Sequence, residues 1–170
     1  MEFFEVLERR RSVRLYRGAK LGADQLQAIL DAARLAPSAG DLQAFRVAVV
    51  EDAETKSALA AAAHGQGFLA EASAVLVFLA DPGCSAAKYE KRGRSLFALQ
   101  DATIAAAYAQ LAATALGLGS CWVGAFDDDA VSRALRAPGE LRPIALLPIG
   151  EPGETPERTP RRPREAPLMR

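Results

Sequence analysis

The residues best suited to binding chemistry form a short basic segment near the amino terminus. Arg10, Ser12 and Arg14 alternate along it, and Arg11 lies between the first two. Guanidinium groups present planar forks of N–H donors to phosphate oxygens, and such charge-assisted hydrogen bonds are strong. The segment is therefore a candidate phosphate site. On these residues alone, a solvated basic turn after a helix is the simpler interpretation.

Two loops could approach a flat ligand with their backbones. The first contains Pro37, Ser38 and Ala39, followed by Gly40 and Asp41. Its small side chains would permit a close approach, although Pro37 also serves simply to stop a helix. The second loop is GLGSCWVGA at 117–125, which could present backbone N–H groups but does not match the GxGxxG fingerprint of dinucleotide-binding folds.

The carboxy-terminal stretch differs in composition from the rest of the chain. Five of the ten prolines and five arginines fall within residues 150–170. Because proline is incompatible with a helix interior, we expect an extended arm over 151–170 attached to one domain at 1–150. The arginines from Arg158 to Arg164 would either close over a phosphate or keep the arm solvated.

The side chains usually used for catalysis are scarce. His64 is the single histidine, and its neighbours Gly65 and Gln66 favour a loop position over a general base. Cys84 and Cys121 form no CxxC pair and are too few for a disulfide framework. We therefore expect no metal site, and a cofactor is the natural source of any chemistry.

Composition excludes several classes of protein. The chain has 170 residues, of which 50% are hydrophobic and 25% charged, as in an ordinary globular domain. Its 21 basic and 21 acidic residues balance, which argues against a nucleic-acid partner and against a polybasic membrane anchor. The amino terminus lacks the order of charges and apolar residues found in signal peptides, so the expected location is the cytoplasm.

Hydrophobic periodicity predicts alternating helices and strands. The segment 96–116 is long enough to suggest a membrane span, but Gln100 and Asp101 interrupt it, and its many alanines favour a buried helix, such as one in a dimer core. The strand at 45–50 is mostly apolar and should be buried on both faces. Helices are predicted at 2–9, from 23 or 24 to about 36, at 54–63, just after 67, at 96–116 and at 128–135; strands are predicted at 45–50, 75–79, 121–123 and 144–149.

Taken in order, six fragments resemble the nitroreductase family of FMN-dependent oxidoreductases, in its short form. The resemblance runs from about Phe4 to Arg162. It implies an α+β fold with a mainly antiparallel central sheet flanked by helices, and an intertwined homodimer with FMN at the interface. It also implies that the arm packs on the partner subunit. The fragments are RRRSVRLY at 9–16, LAPSAGDLQAFRVAVV at 35–50, GQGFLAEASAVLVFLAD at 65–81, YEKRGRSLFALQDA at 89–102, GLGSCWVGAFD at 117–127 and IALLPIGEP at 144–152.

The same resemblance suggests which residues bind the cofactor. The basic segment would hold the FMN phosphate and the pyrimidine edge of the flavin, and the 37–39 loop would lie against the flavin of the partner subunit. Asp41 stands where the family loop has an asparagine, and Ala44-Phe45 stands where Pro-Trp is common. The implied cofactor-binding residues are Arg10, Arg11, Ser12, Arg14, Pro37, Ser38, Ala39, Asp41, Gln66, Val123, Gly124, Ala125 and Arg161, with Arg162 as the alternative to Arg161.

The activity implied by the resemblance needs no catalytic side chain, since the flavin carries the chemistry. NAD(P)H would deliver hydride to FMN, leave, and be replaced by a flat small-molecule acceptor such as a nitroaromatic or a quinone, in a ping-pong mechanism. Other reactions of the superfamily stay open at this point, namely flavin destruction, dehalogenation and oxidation of peptide-derived heterocycles. A non-catalytic flavin carrier or sensor is also open.

Overall fold

The sheet is built on β2, Ala74–Ala80, in which every residue is buried. The computed structural model describes residues 1–163 and 167. The other strands are β1, Phe45–Val50, β3, Gly119–Ser120, and β4, Arg142–Gly150. Their order is β1-β2-β4-β3, and each neighbouring pair is antiparallel. The α+β fold with a mainly antiparallel sheet is therefore confirmed.

Helices cover both faces of this sheet. On one face, Val75, Val77 and Leu79 of β2 pack in the same cluster as residues of α3, α4 and α7. On the other face, Leu76 and Phe78 pack with α2 and α6. The helices are α1, Phe3–Arg9; α2, Ala23–Arg34; α3, Ala53–Ala62; α4, Phe68–Glu71; α5, Pro82–Arg92; α6, Ala98–Ala115; and α7, Asp128–Leu135, with a 3-10 turn at Ala39–Asp41 and a π-helical turn at Gly93–Phe97.

Aspartate caps start three of the helices. The carboxylates of Asp52, Asp81 and Asp127 each accept the backbone N–H three residues later, at 2.8, 2.9 and 2.8 Å. Such caps satisfy N–H groups that have no partner within the helix. The helix capped by Asp81, α5, was not predicted from the sequence. Its first residue is Pro82, and the first turn of a helix is a favourable position for proline.

Two strand predictions are wrong in detail. Residues 45–50 were expected to be buried on both faces, yet only Val50 is buried, because β1 is an edge strand with β2 as its one neighbour. The strand expected at 121–123 lies instead at Gly119–Ser120, and Val123 forms an isolated bridge to Leu146. Both errors concern which strands pair with each other, and the hydrophobic periodicity of the sequence does not predict strand pairing.

The alanine-rich face of α6 packs within its own chain. Ala102, Ala105 and Ala109 are fully buried, and α6 contacts α2 and the strands β1, β2 and β4. These alanines let the helix approach the sheet and α2 closely. The dimer core that the sequence suggested for this helix stays a prediction. Among the residues that the structure describes, no helix has the length and hydrophobicity required to cross a membrane.

Candidate active site

The basic segment and the arm enclose a polar cavity of about 320 Å³. We call this cavity the arginine cradle. Burial lowers the pKa of Arg10, and the neighbouring charges of Arg161 and Arg11 lower it further. These cations therefore lie close enough to repel one another, and a bound anion would relieve that repulsion. The cradle is lined by Leu7, Arg10, Arg11, Ser12, Arg14, Pro156, Glu157, Arg158, Thr159 and Arg161.

The basic segment is held against β3. Ser12 forms a parallel bridge with Ser120, and the Val13 N–H donates to the Ser120 carbonyl at 3.0 Å. A side chain at Gly119 would prevent this approach, because its Cβ would lie 2.8 Å from Val13 Cγ1. The glycine-containing stretch that begins at 117 therefore contributes to the cradle by supporting the segment that lines it.

Backbone pairing fastens the start of the arm. The Arg17 N–H donates to the Glu151 carbonyl at 3.0 Å, and the Arg17 and Glu151 side chains form an ion pair at 3.2 Å. The Arg14 N–H donates to the Glu154 carboxylate at 2.6 Å. These contacts direct the following residues over the cradle, so that Arg158 and Arg161 line it. Sequence reasoning missed the role of Glu154, which depends on residues 140 positions apart.

Arg11 lines the cradle but is bonded elsewhere, and the other arginines of the arm differ in their placement. The Arg11 guanidinium donates to the Glu8 carbonyl, and at 3.0 Å to the Arg10 carbonyl, so it turns partly toward the end of α1. Arg162 does not line the cradle. Arg164 lies outside the described residues. The expected packing of the arm on a partner subunit stays a prediction.

Cys121 lies behind the cradle as a buried side chain, as the sequence suggested. Burial raises the pKa of its thiol, while Arg14 and Ser12 act in the opposite direction. A raised pKa disfavours the thiolate, the form in which cysteine acts as a nucleophile. The neighbouring Ser120 hydroxyl is buried and has no hydrogen-bond partner within the described part of the chain.

Gln66 and the 123–125 segment meet beside the cradle. Gln66 Nε2 donates to the carbonyls of Ala63 at 3.0 Å and Ala125 at 3.3 Å. The Val123 N–H is committed to the Leu146 carbonyl at 3.0 Å. Gly124 and Ala125 are exposed, and across residues 1–163 their N–H groups have no protein acceptor. These two N–H groups, rather than that of Val123, are available to a ligand.

An aromatic contact joins these two parts of the site. The Arg14 guanidinium lies over the Phe68 ring, 5.9 Å from its centre, and Phe68 follows Gln66 by two residues. The Arg14–Phe68 contact and the Gln66–Ala125 hydrogen bond thus connect the basic segment with the segment that carries the 124–125 N–H groups. Phe68 was not predicted as a site residue.

The 37–41 loop is anchored by a buried carboxylate. Asp101 of α6 is 2% exposed and accepts the N–H of Ala39 at 2.9 Å and of Ala44 at 3.2 Å. Ser38 Oγ accepts the Gln43 N–H at 2.9 Å. Sequence reasoning noted Asp101 only as a polar interruption. The signal available was an isolated acidic residue on a helix face made mostly of alanine.

This loop is not part of the cradle in a single chain. Pro37, Ser38 and Ala39 line a separate, mostly apolar cavity of about 460 Å³, together with residues 97–104. The two cavities share no lining residue. Asp41 is exposed, with a φ of 58°. Within one chain, the predicted site residues of this loop and those of the cradle therefore lie at different cavities.

The donors of the cradle fit a phosphate group. Several guanidinium groups and the Ser12 hydroxyl surround one polar cavity, and guanidinium forks match phosphate oxygens in geometry and charge. Across residues 1–163 and 167, no group of three or more His, Cys, Asp or Glu side chains is arranged to hold a metal ion. The arrangement is that of an anion site beside exposed backbone donors.

Comparisons with known proteins agree with this chemistry. The model of the Nitroreductase family matches residues 7–151. A protein of Thermus thermophilus named NADH dehydrogenase is 34% identical over 173 residues, which cover 86% of this chain and 84% of that protein. The FMN reductase [NAD(P)H] of Bacillus subtilis is 31% identical over 180 residues, covering 97% and 72% of the two chains.

The fold is likewise similar to solved structures. The NADPH:FMN oxidoreductase from Vibrio harveyi, solved with NAD⁺, superposes with a TM-score of 0.90 at 26% sequence identity. That superposition covers 99% of this chain and 76% of the other.

Proposed function

We propose that this chain, which belongs to the nitroreductase family, is an FMN-dependent oxidoreductase that passes hydride from NAD(P)H to a flat acceptor. The arginine cradle carries the proposal, because Arg10, Ser12, Arg14 and Arg161 converge on one cavity of suitable chemistry for the FMN phosphate. The names of the Bacillus subtilis and Vibrio harveyi relatives, an FMN reductase and an NADPH:FMN oxidoreductase, support the choice of cofactor.

The roles of this chain's residues follow from their positions. When bound, FMN supplies the hydride chemistry, and the protein binds and orients it. The guanidinium groups of Arg10, Arg14 and Arg161 would hold the phosphate. The N–H groups of Gly124 and Ala125 are donors for the flavin ring, and Gln66, next to them, would face its pyrimidine edge.

We infer a homodimer as the active form. The cradle and the 37–41 loop are separate in one chain, so a second copy is needed if the loop is to contact the flavin. Phe4 and Leu35 are each 76% exposed, and Leu35 lies two residues before the loop. Burial of such large apolar side chains by a partner would be favourable. The arm would then also pack on the partner subunit.

The acceptor and the kinetic mechanism complete the proposal. NAD(P)H and the acceptor would use one cleft over the flavin in turn, in a ping-pong mechanism. Quinones and nitroaromatics have the flat shape that suits such a cleft. Both cysteines are free thiols, which is consistent with a location in the reducing cytoplasm.

The decisive test is FMN binding by an Arg10→Ala variant. Charge-assisted hydrogen bonds contribute roughly 1.5–3 kcal/mol each, so we expect FMN affinity to fall by about 10- to 100-fold. Titration of the apoprotein, followed by quenching of FMN fluorescence, measures this directly. Arg142→Ala is the matched control, because Arg142 is a 63% exposed arginine on β4. Equal FMN affinity in the two variants would contradict the assignment of the cradle.

A further inference from the structure

Helix α5 lies against the 37–41 loop through two side chains. A Cβ at Gly40 would clash with the Tyr89 hydroxyl and would lie 2.8 Å from Lys88 Nζ, so both side chains lie close over the loop backbone. Gly40 has a φ of 59°, a conformation that favours glycine. A glycine here thus satisfies the turn and also leaves room for Lys88 and Tyr89 to reach the loop backbone.

Lys88 and Tyr89 belong to a cluster that also contains Arg92 and Phe97, which we call the aromatic–cation cluster. Lys88 Nζ lies 5.4 Å from the centre of the Tyr89 ring. The rings of Tyr89 and Phe97 pack edge to face, with centroids 5.1 Å apart, and Arg92 lies 5.3 Å from the Phe97 centroid. Phe97 also lines the 460 Å³ cavity beside the loop. The cluster therefore borders an apolar cavity with aromatic rings and positive charge.

A strained residue interrupts α5 within this cluster. Glu90 has φ 50° and ψ −131°, values outside the helical region. A non-glycine residue rarely adopts such a conformation unless its surroundings impose it. The break lies between Lys88 and Arg92, the two cations that lie over aromatic rings.

The positive charges of the cluster have no carboxylate partner among the residues that the structure describes. Within residues 1–163, neither Lys88 nor Arg92 forms an ion pair with a carboxylate. The nearby Asp101 carboxylate is occupied by two backbone N–H donors. Asp41 and Glu90 are the exposed acids in the neighbourhood. Two cations beside an aromatic wall thus remain available to an anionic ligand.

We propose that the aromatic–cation cluster makes the cavity beside the 37–41 loop prefer flat aromatic acceptors that carry a negative charge. The acceptor ring would pack in the apolar cavity, and Lys88 would pair with its anionic group. The inference rests on the proposed function, since it takes the 37–41 loop to lie at the flavin of a second copy. It specifies the substrate class, and it assigns Lys88 as a specificity-determining residue.

Paired acceptors test this preference in the FMN-loaded enzyme. With 4-nitrobenzoate and 4-nitrobenzamide, one turnover transfers a hydride from NADH and one proton from solvent to the nitro group, and gives the nitroso compound, NAD⁺ and water. We expect Lys88→Met to lower the benzoate-to-benzamide ratio of kcat/KM by up to about fivefold, the range of an exposed ion pair. Lys91→Met removes the same charge from the same helix and should leave the ratio unchanged.

A binding measurement separates recognition from turnover. Benzoate and benzamide cannot be reduced, and their Kd values can be read from the absorbance of oxidised bound FMN. In Lys88→Met, we expect the Kd of benzoate relative to that of benzamide to rise by up to about fivefold. An unchanged ratio in Lys88→Met, or an equal change in Lys91→Met, would overturn the inference. If the wild-type protein bound no FMN, or did not oxidise NADH with the neutral acceptor, the proposed function would be refuted instead.

Discussion

Replacing Asp101 by alanine should loosen the 37–41 loop and destabilise the fold. The Asp101 carboxylate is almost fully buried and joins α6 to the backbone of Ala39 and Ala44. Ala44 is completely buried, so its N–H would lose its partner and could not reach water. The Ala39 N–H is only partly buried and can be solvated in the variant.

The size of the effect follows from these two donors. A buried N–H left without a partner costs about 1–3 kcal/mol, and the loss of a second bond at a half-exposed site costs about 1 kcal/mol. We therefore expect Asp101→Ala to lower the free energy of unfolding by about 2–4 kcal/mol. Asp101→Asn should lower the free energy of unfolding by roughly half as much. The asparagine oxygen still accepts one N–H, whereas the asparagine NH₂ group faces the other N–H donor.

Urea unfolding at fixed protein and FMN concentrations measures this difference. With an m-value of about 2 kcal/mol/M, the midpoint of Asp101→Ala should fall by about 1–2 M. Hydrogen exchange of the Ala39 and Ala44 amides should also accelerate more than that of amides outside the loop. A general loss of stability would instead accelerate exchange throughout the protein. Gln100→Ala, at the exposed neighbouring position, is the control. If the free energies of unfolding of Asp101→Ala and Gln100→Ala differ by less than about 0.5 kcal/mol, Asp101 does not anchor the loop.

Three further predictions concern assembly, kinetics and redox potential. Light scattering of the FMN-loaded protein should give about twice 18.0 kDa, and a stable FMN-saturated monomer would refute the shared site. Initial rates with NAD(P)H and a quinone should give parallel double-reciprocal plots, whereas intersecting lines would indicate a ternary complex. Asp41→Asn should raise the midpoint potential of bound FMN by tens of millivolts. A full charge at about 5 Å and an effective dielectric of ~20 contributes at most ~3 kcal/mol, or about 70 mV for two electrons. The exposure of Asp41 to solvent reduces this contribution. A spectroelectrochemical potential that stays constant or falls would show that Asp41 does not sense the flavin.

The amino-acid sequence determined those features that depend on neighbouring residues. The apolar runs of β2 and β4 identified the centre of the sheet, since a strand covered by helices on both faces needs no polar alternation. The alternation of Arg10, Ser12 and Arg14 identified the segment that lines the cradle. The order of six fragments also pointed to the family, because each fragment is a short run of neighbouring residues that the sequence shows directly.

Contacts between distant residues were decided by the tertiary structure alone. The Asp101 bonds span 62 and 57 residues, and the Arg14–Glu154 bond spans 140. The edge position of β1 and the approach of Lys88 to Gly40 likewise depend on how elements pack. A periodic pattern states which face of an element avoids water, but not which element will cover that face. The partners of a buried carboxylate or a free cation are therefore fixed only when the whole chain has packed.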